Sequence, residues 1–288
     1  MERQTRWYKQ GAALLAEIEQ SRPGPAEAWI WYLGQLGFVI NLEDRIFYID
    51  VILNDMTDRE GRSRREYPAP FAPDQVKRVD YVLCTHNHGD HLNLKTLVPL
   101  AEANPHACFA VPRPWKKLLA DAGIGEDRIL GLREGEETRL GPVSLLPVAA
   151  VHTPFIQDQP ERNAEGEALC LGYLLKGGGL RIYHAGDTWA APSLVQSLKA
   201  MGPLNAAVFP INGTDWERTE GGCIGNMSPL DAAKLARAAP VDLTIPAHYD
   251  LMASNSENPA LFAAYMYRHC PERRFHIFAL GERFIYRS

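Results

Sequence analysis

Thr85-His86-Asn87-His88-Gly89-Asp90-His91 places four side chains that can bind a metal ion, His86, His88, Asp90 and His91, in one short stretch. The apolar run before it, Val79-Asp80-Tyr81-Val82-Leu83-Cys84, reads as a buried strand, and Leu94 to Ala103 beyond it reads as a helix. The cluster therefore belongs on a loop at a sheet edge, where an irregular backbone is tolerated. Imidazole and carboxylate groups suit zinc, iron or manganese. Four groups this close cannot all approach one ion from different directions, so two adjacent ions sharing them is the easier geometry. A solitary histidine would more readily be a structural or solvated residue. Four such groups at H-x-H-x-D-H spacing reverse that preference.

Three further positions repeat the pattern of a ligand at a strand end. His152 follows the apolar run Leu145 to Val151. Asp187 closes Tyr183-His184-Ala185-Gly186-Asp187-Thr188, after Leu180-Arg181-Ile182-Tyr183. His248 follows Ile245-Pro246-Ala247. Any one of them alone could be a turn or capping residue. Together, delivered to strand ends as His, Asp and His, they read as ligands.

Working outward, residues 7–20 suit an amphipathic helix that Pro23, Gly24 and Pro25 end. Ala28 to Val51 reads as a β-meander, and residues 53–78, polar and rich in Arg and Pro, as a long loop of the kind that is often functional. Beyond Val79, strands and helices alternate. Strands are expected at Cys108 to Val111, Ala206 to Ile211, Val241 to Ile245 and 274–279. Helices are expected at Pro114 to Ala122, 191–201, after the Ser228-Pro229 cap, and at 259–268. Hairpins are expected around 137–150 and 168–184, the second turning at Gly177-Gly178-Gly179. The pattern suits two packed sheets with helices outside. No repeat, low-complexity tract or linker divides it, so residues 1–288 read as one domain with an N-terminal helical segment at 1–25.

Composition limits the function classes. The chain has 288 residues, 46% hydrophobic and 23% charged, with a formal net charge of −5. A non-specific nucleic-acid binder would normally carry the opposite sign. A small-molecule substrate, with no nucleic acid as partner, is therefore the expectation. Five widely spaced cysteines with no C-x-x-C argue against a disulfide framework or thiolate zinc site and fit a reducing compartment. The N-terminus lacks the apolar core of a signal peptide, and no apolar run approaches membrane-spanning length. A cytoplasmic location without a membrane partner follows as an expectation. Whether the chain forms a homo-oligomer stays open.

Taken in order, these motifs resemble those of the metallo-β-lactamase superfamily, and the likeness covers nearly the whole chain. The resemblance implies an αββα four-layer sandwich. It also implies that His86, His88 and His152 hold a first metal, that Asp90, His91 and His248 hold a second, and that Asp187 bridges both. Within the superfamily the chain most resembles the L-ascorbate-6-phosphate lactonase branch, through Trp31-Tyr32-Leu33-Gly34, Thr85 to Asn93, Tyr183 to Thr188 and Ile245 to Asp250. That likeness implies a lactone or ester-like substrate, a phosphorylated sugar acid among the candidates. A phosphodiesterase or nuclease of the same superfamily is the alternative. A di-iron redox protein ranks below both, because the redox branch typically has Glu where this chain has His88.

Two divalent ions, zinc or manganese first and iron also acceptable, can share a water and lower its pKa, so no protein nucleophile is needed. Asp90 is the expected catalytic side chain, orienting the nucleophile and passing a proton to the leaving group. Asp250 and His184 are candidates for orienting a ligand imidazole. Trp189, Asn212, Trp216 and Tyr249 neighbour the ligand motifs and could wall a substrate pocket, although packing explains such residues equally well. Arg59, Arg62, Arg64 and Arg65 form a basic run that could read a phosphate, although a charged loop is more often simply solvated.

Overall fold

A computed structural model describes residues 6–288. Helix α1 (Gly11–Glu19) precedes the meander β1 (Glu27–Tyr32), β2 (Phe38–Leu42) and β3 (Arg45–Ile49). Glu43 and Asp44 join β2 to β3 with φ of +55° and +56°, a backbone twist that matches a tight hairpin. After a long segment come β4 (Tyr81–Leu83), α2 (Leu94–Ala103), β5 (Cys108–Pro112), α3 (Lys116–Asp121) and β6 (Ile129–Leu132). The second half runs β7 (Thr138–Leu140), β8 (Val143–Ala149), β9 (Leu171–Gly177), β10 (Leu180–His184), α4 (Pro192–Ala200), β11 (Leu204–Pro210) and α5 (Trp216–Glu220). It ends with α6 (Pro229–Ala238), β12 (Val241–Ala247), α7 (Pro259–His269), β13 (Arg274–Phe275) and β14 (Arg283–Arg287).

The strands form two seven-stranded sheets, β14-β1-β2-β3-β4-β5-β6 and β13-β12-β11-β10-β9-β8-β7. Strand periodicity places each sheet between two layers. In β10 and β11, Leu180, Ile182, Ala206 and Val208 point into the core between the sheets. Their neighbours Tyr183, Ala207 and Phe209 point the other way, against Leu194 and Leu198 of α4 and Ala232, Ala233 and Ala236 of α6. Leu14 and Ile18 of α1, and Leu97 and Leu100 of α2, are buried with the first sheet. Each such fully buried aliphatic side chain contributes about 1.5–3 kcal/mol. The result is the αββα sandwich.

Some elements differ from expectation. The strand expected at 274–279 shrinks to the two residues of β13, and β6 and β14 arise where none was expected. Strand β14 closes the first sheet by pairing antiparallel with β1, Trp29 opposite Ile285. Both unexpected strands are short, and their pairing is decided by neighbours far away in sequence. The Ser228 cap forms as expected, its hydroxyl accepting from Asp231 N while the Asp231 carboxylate accepts from Ser228 N.

Candidate metal centre

The ligand-type residues sit beyond the carboxyl ends of β4, β8, β10 and β12. Beyond β4, a turn in which His91 N and Leu92 N both donate to His88 O holds the four-residue cluster. Asn93 locks this turn to α2 by donating to Gly89 O at 2.8 Å while its side-chain oxygen accepts from Lys95 N. Gly186, before Asp187, has φ +64°, and a Cβ there would lie 2.8 Å from Thr85 Cβ. The two loops therefore meet only because this residue is glycine.

Two groups of ligand atoms result, each with its members within 4.8 Å of one another: His86, His88, His152 and Asp187, and separately Asp90, His91 and His248. Asp187 straddles them. Its Oδ1 lies 3.4 Å from both His91 Nε2 and His248 Nε2. Its Oδ2 lies 3.7 Å from His152 Nε2 and 4.0 Å from His86 Nε2. His91 Nε2 and Asp187 Oδ1 are buried, face each other, and have no hydrogen-bond partner. Buried polar atoms are rarely left so. A divalent cation would satisfy both, and the imidazole–carboxylate donor set suits one.

Burial and neighbouring charge act differently on the histidines of the two groups. Burial pushes His86 well below its ordinary range and His152 down to about 4, with Asp187 pulling the other way. Burial also opposes charge on His91 and His248. There, Asp187 and Asp90 outweigh it, raising His91 well above the usual histidine value and His248 to about 9. Burial works against charge on Asp90 too, and nearby His91 and His248 nevertheless hold it well below the usual carboxylate range.

Two buried residues beyond the expected set touch the ligands. Asp50, just past β3, accepts from Thr85 N at 2.8 Å, from the Thr85 hydroxyl at 2.6 Å and from His91 Nδ1 at 2.9 Å. The Thr85 hydroxyl in turn lies 3.1 Å from His86 Nδ1. Asp50 thus orients one histidine of each group, leaving the Nε2 atoms turned inward. Gln35, in the turn between β1 and β2, places Nε2 2.7 Å from Asp90 Oδ2 and 3.0 Å from His248 Nε2. The signal for Asp50 was available, since it is an acidic residue ending an apolar strand. Nothing local marks Gln35.

Asp250 does not orient His248, contrary to expectation. Its Oδ1 accepts from Gln35 N at 2.9 Å and from the Tyr67 hydroxyl at 2.8 Å. His248 has φ +61°, so the chain turns sharply there and sends Asp250 toward the Gln35 turn. His184 likewise contacts no ligand imidazole: its Nε2 lies 2.9 Å from Leu36 O, and its Nδ1 accepts from Gly186 N.

The metal-type groups open into a cleft of about 930 Å³ whose walls include Arg64, His88, Asp90, Asp187, Arg218 and Cys223. Trp189, Asn212, Trp216 and Tyr249 are not on its lining. Trp189 packs with Val151 and Ala191. Asn212 is buried behind the wall, bonded to Asn255 and Asn226. Tyr249 stacks on Tyr32, and Trp216 is 76% exposed. Of the basic run, Arg64 lines the cleft and Arg62 pairs with Asp58 and Glu60. Arg65 is buried and donates to the carbonyls of Ile52, Asn54 and Tyr67, so it braces the loop and does not face substrate. Among the described residues, no helix is long and apolar enough to cross a membrane.

Residues 45–249 match the beta-lactamase superfamily domain, and the chain belongs to that family. Fold, ligand cluster and relatives define a metal-dependent hydrolase of the metallo-β-lactamase type. A UPF0173 metal-dependent hydrolase of Pyrococcus furiosus is 29% identical over 195 residues, covering 67% of this chain and 77% of the relative. One from Thermofilum pendens is 29% identical over 244 residues, covering 80% and 87%. Among solved structures, the metallo hydrolase Igni18 of Ignicoccus hospitalis superposes with a TM-score of 0.68 at 17% identity, covering 91% of this chain and 99% of that one. The di-iron β-hydroxylase CmlA of Streptomyces venezuelae superposes with 0.66 at 16% identity, covering 93% of this chain and 55% of that one. At such identities these structures share the fold alone.

Proposed function

We propose that the chain is a two-metal hydrolase of small lactone or ester-like substrates, phosphorylated sugar acids among them, as in the ascorbate-6-phosphate lactonase branch. The observation that carries this reading is Asp187, whose two carboxylate oxygens face the two ligand groups separately. His86, His88 and His152 would hold one ion, Asp90, His91 and His248 the other, and Asp187 both. The ligand set accepts zinc, manganese or iron. When bound, the pair of ions would supply an activated water and polarise the substrate oxygen.

The remaining work falls to the chain. Asp90 lies on the cleft wall, where it can orient the attacking water and return a proton to the leaving oxygen. Ligand-group burial keeps bulk water from competing for the imidazoles. Arg64, on the same wall, is the one member of the basic run placed to meet a substrate phosphate.

Steady-state kinetics on matched phosphorylated and unphosphorylated lactones, beside bis-nitrophenyl phosphate, tests the proposal. Lactone turnover is expected, with Arg64→Ala raising KM for the phosphorylated member only. Efficient turnover of the phosphodiester and none of the lactones would replace this reading with a phosphodiesterase.

A further inference from the structure

The turn carrying Gln35 is buried throughout and firmly held. Gly34 has φ +90°, and a Cβ on it would meet the Tyr67 hydroxyl at 2.1 Å. Gln35 itself has φ +59°, a left-handed conformation that costs any residue but glycine. Asp250 accepts from its N–H, and its carbonyl accepts from His248 N at 2.5 Å and from the Tyr32 hydroxyl at 3.1 Å. All of this fixes one side chain, 1% exposed, whose amide ends between Asp90 Oδ2 and His248 Nε2.

The amide is only half satisfied there. Its nitrogen donates to Asp90 Oδ2 and lies 3.0 Å from His248 Nε2, while its oxygen Oε1 is buried with no hydrogen-bond partner. The NH2 group also stands against Asp90 Oδ2 and His248 Nε2, the two atoms that the second cation would need. A cation held by Asp90 and His248 would face the positive end of the amide. An amide's oxygen and nitrogen are nearly alike in size, and its terminal torsion has two broad settings. A half-turn would put Oε1 where Nε2 now lies, with no movement of the backbone. Side-chain amide oxygens are ordinary ligands for hard divalent cations.

We propose that Gln35 is a ligand of the second metal subsite: its Oε1 joins Asp90, His91 and His248 on the cation. The unpartnered Oε1 and the two-sided contact of Nε2 carry this inference, which rests on the two-metal reading above.

Titration of the metal-free full chain with Co2+, followed by calorimetry and visible absorption, tests it. Wild type should take up two equivalents in two steps. Gln35→Leu should leave the first step unchanged, weaken the second at least about tenfold, and alter the second step's absorption intensity through the lost ligand. Gln35→Met, of the same length, replaces it if circular dichroism shows Gln35→Leu unfolded. Gln35→Glu keeps an oxygen but cannot donate to Asp90, so it should hold the second equivalent at least as tightly as wild type. A second step weakened less than tenfold in the amide-free variant overturns the proposal. So does a Gln35→Glu variant as weak as Gln35→Leu, which would make the amide a donor that only positions Asp90. Wild-type uptake of fewer than two equivalents would instead reject the two-metal reading itself, and this inference with it.

Discussion

Around Asp90, His91 and His248, buried groups from two distant turns grip the ligand side chains: Asp50 holds His91, and Gln35 bridges Asp90 and His248. Around His86, His88 and His152 the support is thinner. Thr85 touches His86, and His88 is half-buried on the cleft wall, while the Nδ1 atoms of His152 and His248 alike are buried without a partner. The two groups, built from similar residues, are therefore supported to different degrees. Both take two side chains from the 86–91 turn and one histidine from a distant strand end. The second is also contacted directly by Asp50 and Gln35, which must be in register before its side chains point inward, so its geometry reports on the tertiary structure.

The largest effect should come from the residue that erases the comparison. Asp187→Ala removes the carboxylate that faces both groups. It should lower metal content at both and cut kcat/KM by more than about 100-fold, the upper range for losing a mere supporting residue. Metal analysis beside kinetics would check this, and full occupancy of either subsite would count against the bridge. Asp50→Ala should sharpen the contrast. It removes the direct partner of His91 but only the relayed partner of His86, so second-subsite affinity should fall about 10–100-fold and the first distinctly less. Equal losses in a two-step titration would show that the subsites share one support. The smallest effect should come from His269→Ala, at the end of α7 and outside both groups. Its kcat and metal content should stay within about twofold of wild type, as surface substitutions usually do.

The contrast also explains what the sequence could reveal. His86, His88, Asp90 and His91 announce themselves because their spacing is local, and His152, Asp187 and His248 because each follows an apolar strand. Asp50 obeys the same strand-end rule. It escapes notice because it stands alone, and its value as a partner appears only when β3 lies beside β4. Gln35 reaches His248 across 213 positions of sequence, so no local pattern could show the contact. Arg65 misleads for the opposite reason. Its charge suggests a solvent-facing loop, but its planar fork of donors satisfies three carbonyls inside that loop.

The pairing of Trp29 with Ile285 sets an order of events during synthesis. The strand that leads into the Gln35 turn is made before its partner, so its outer edge stays unpaired until residues 283–287 follow. His248, which anchors the same turn through its N–H, also arrives late. Until then the nascent chain carries an open sheet edge and an incomplete pocket, a state prone to wrong pairing. Of the two groups, His86, His88, Asp90 and His91 are made within one short stretch, and His152, Asp187 and His248 follow in that order.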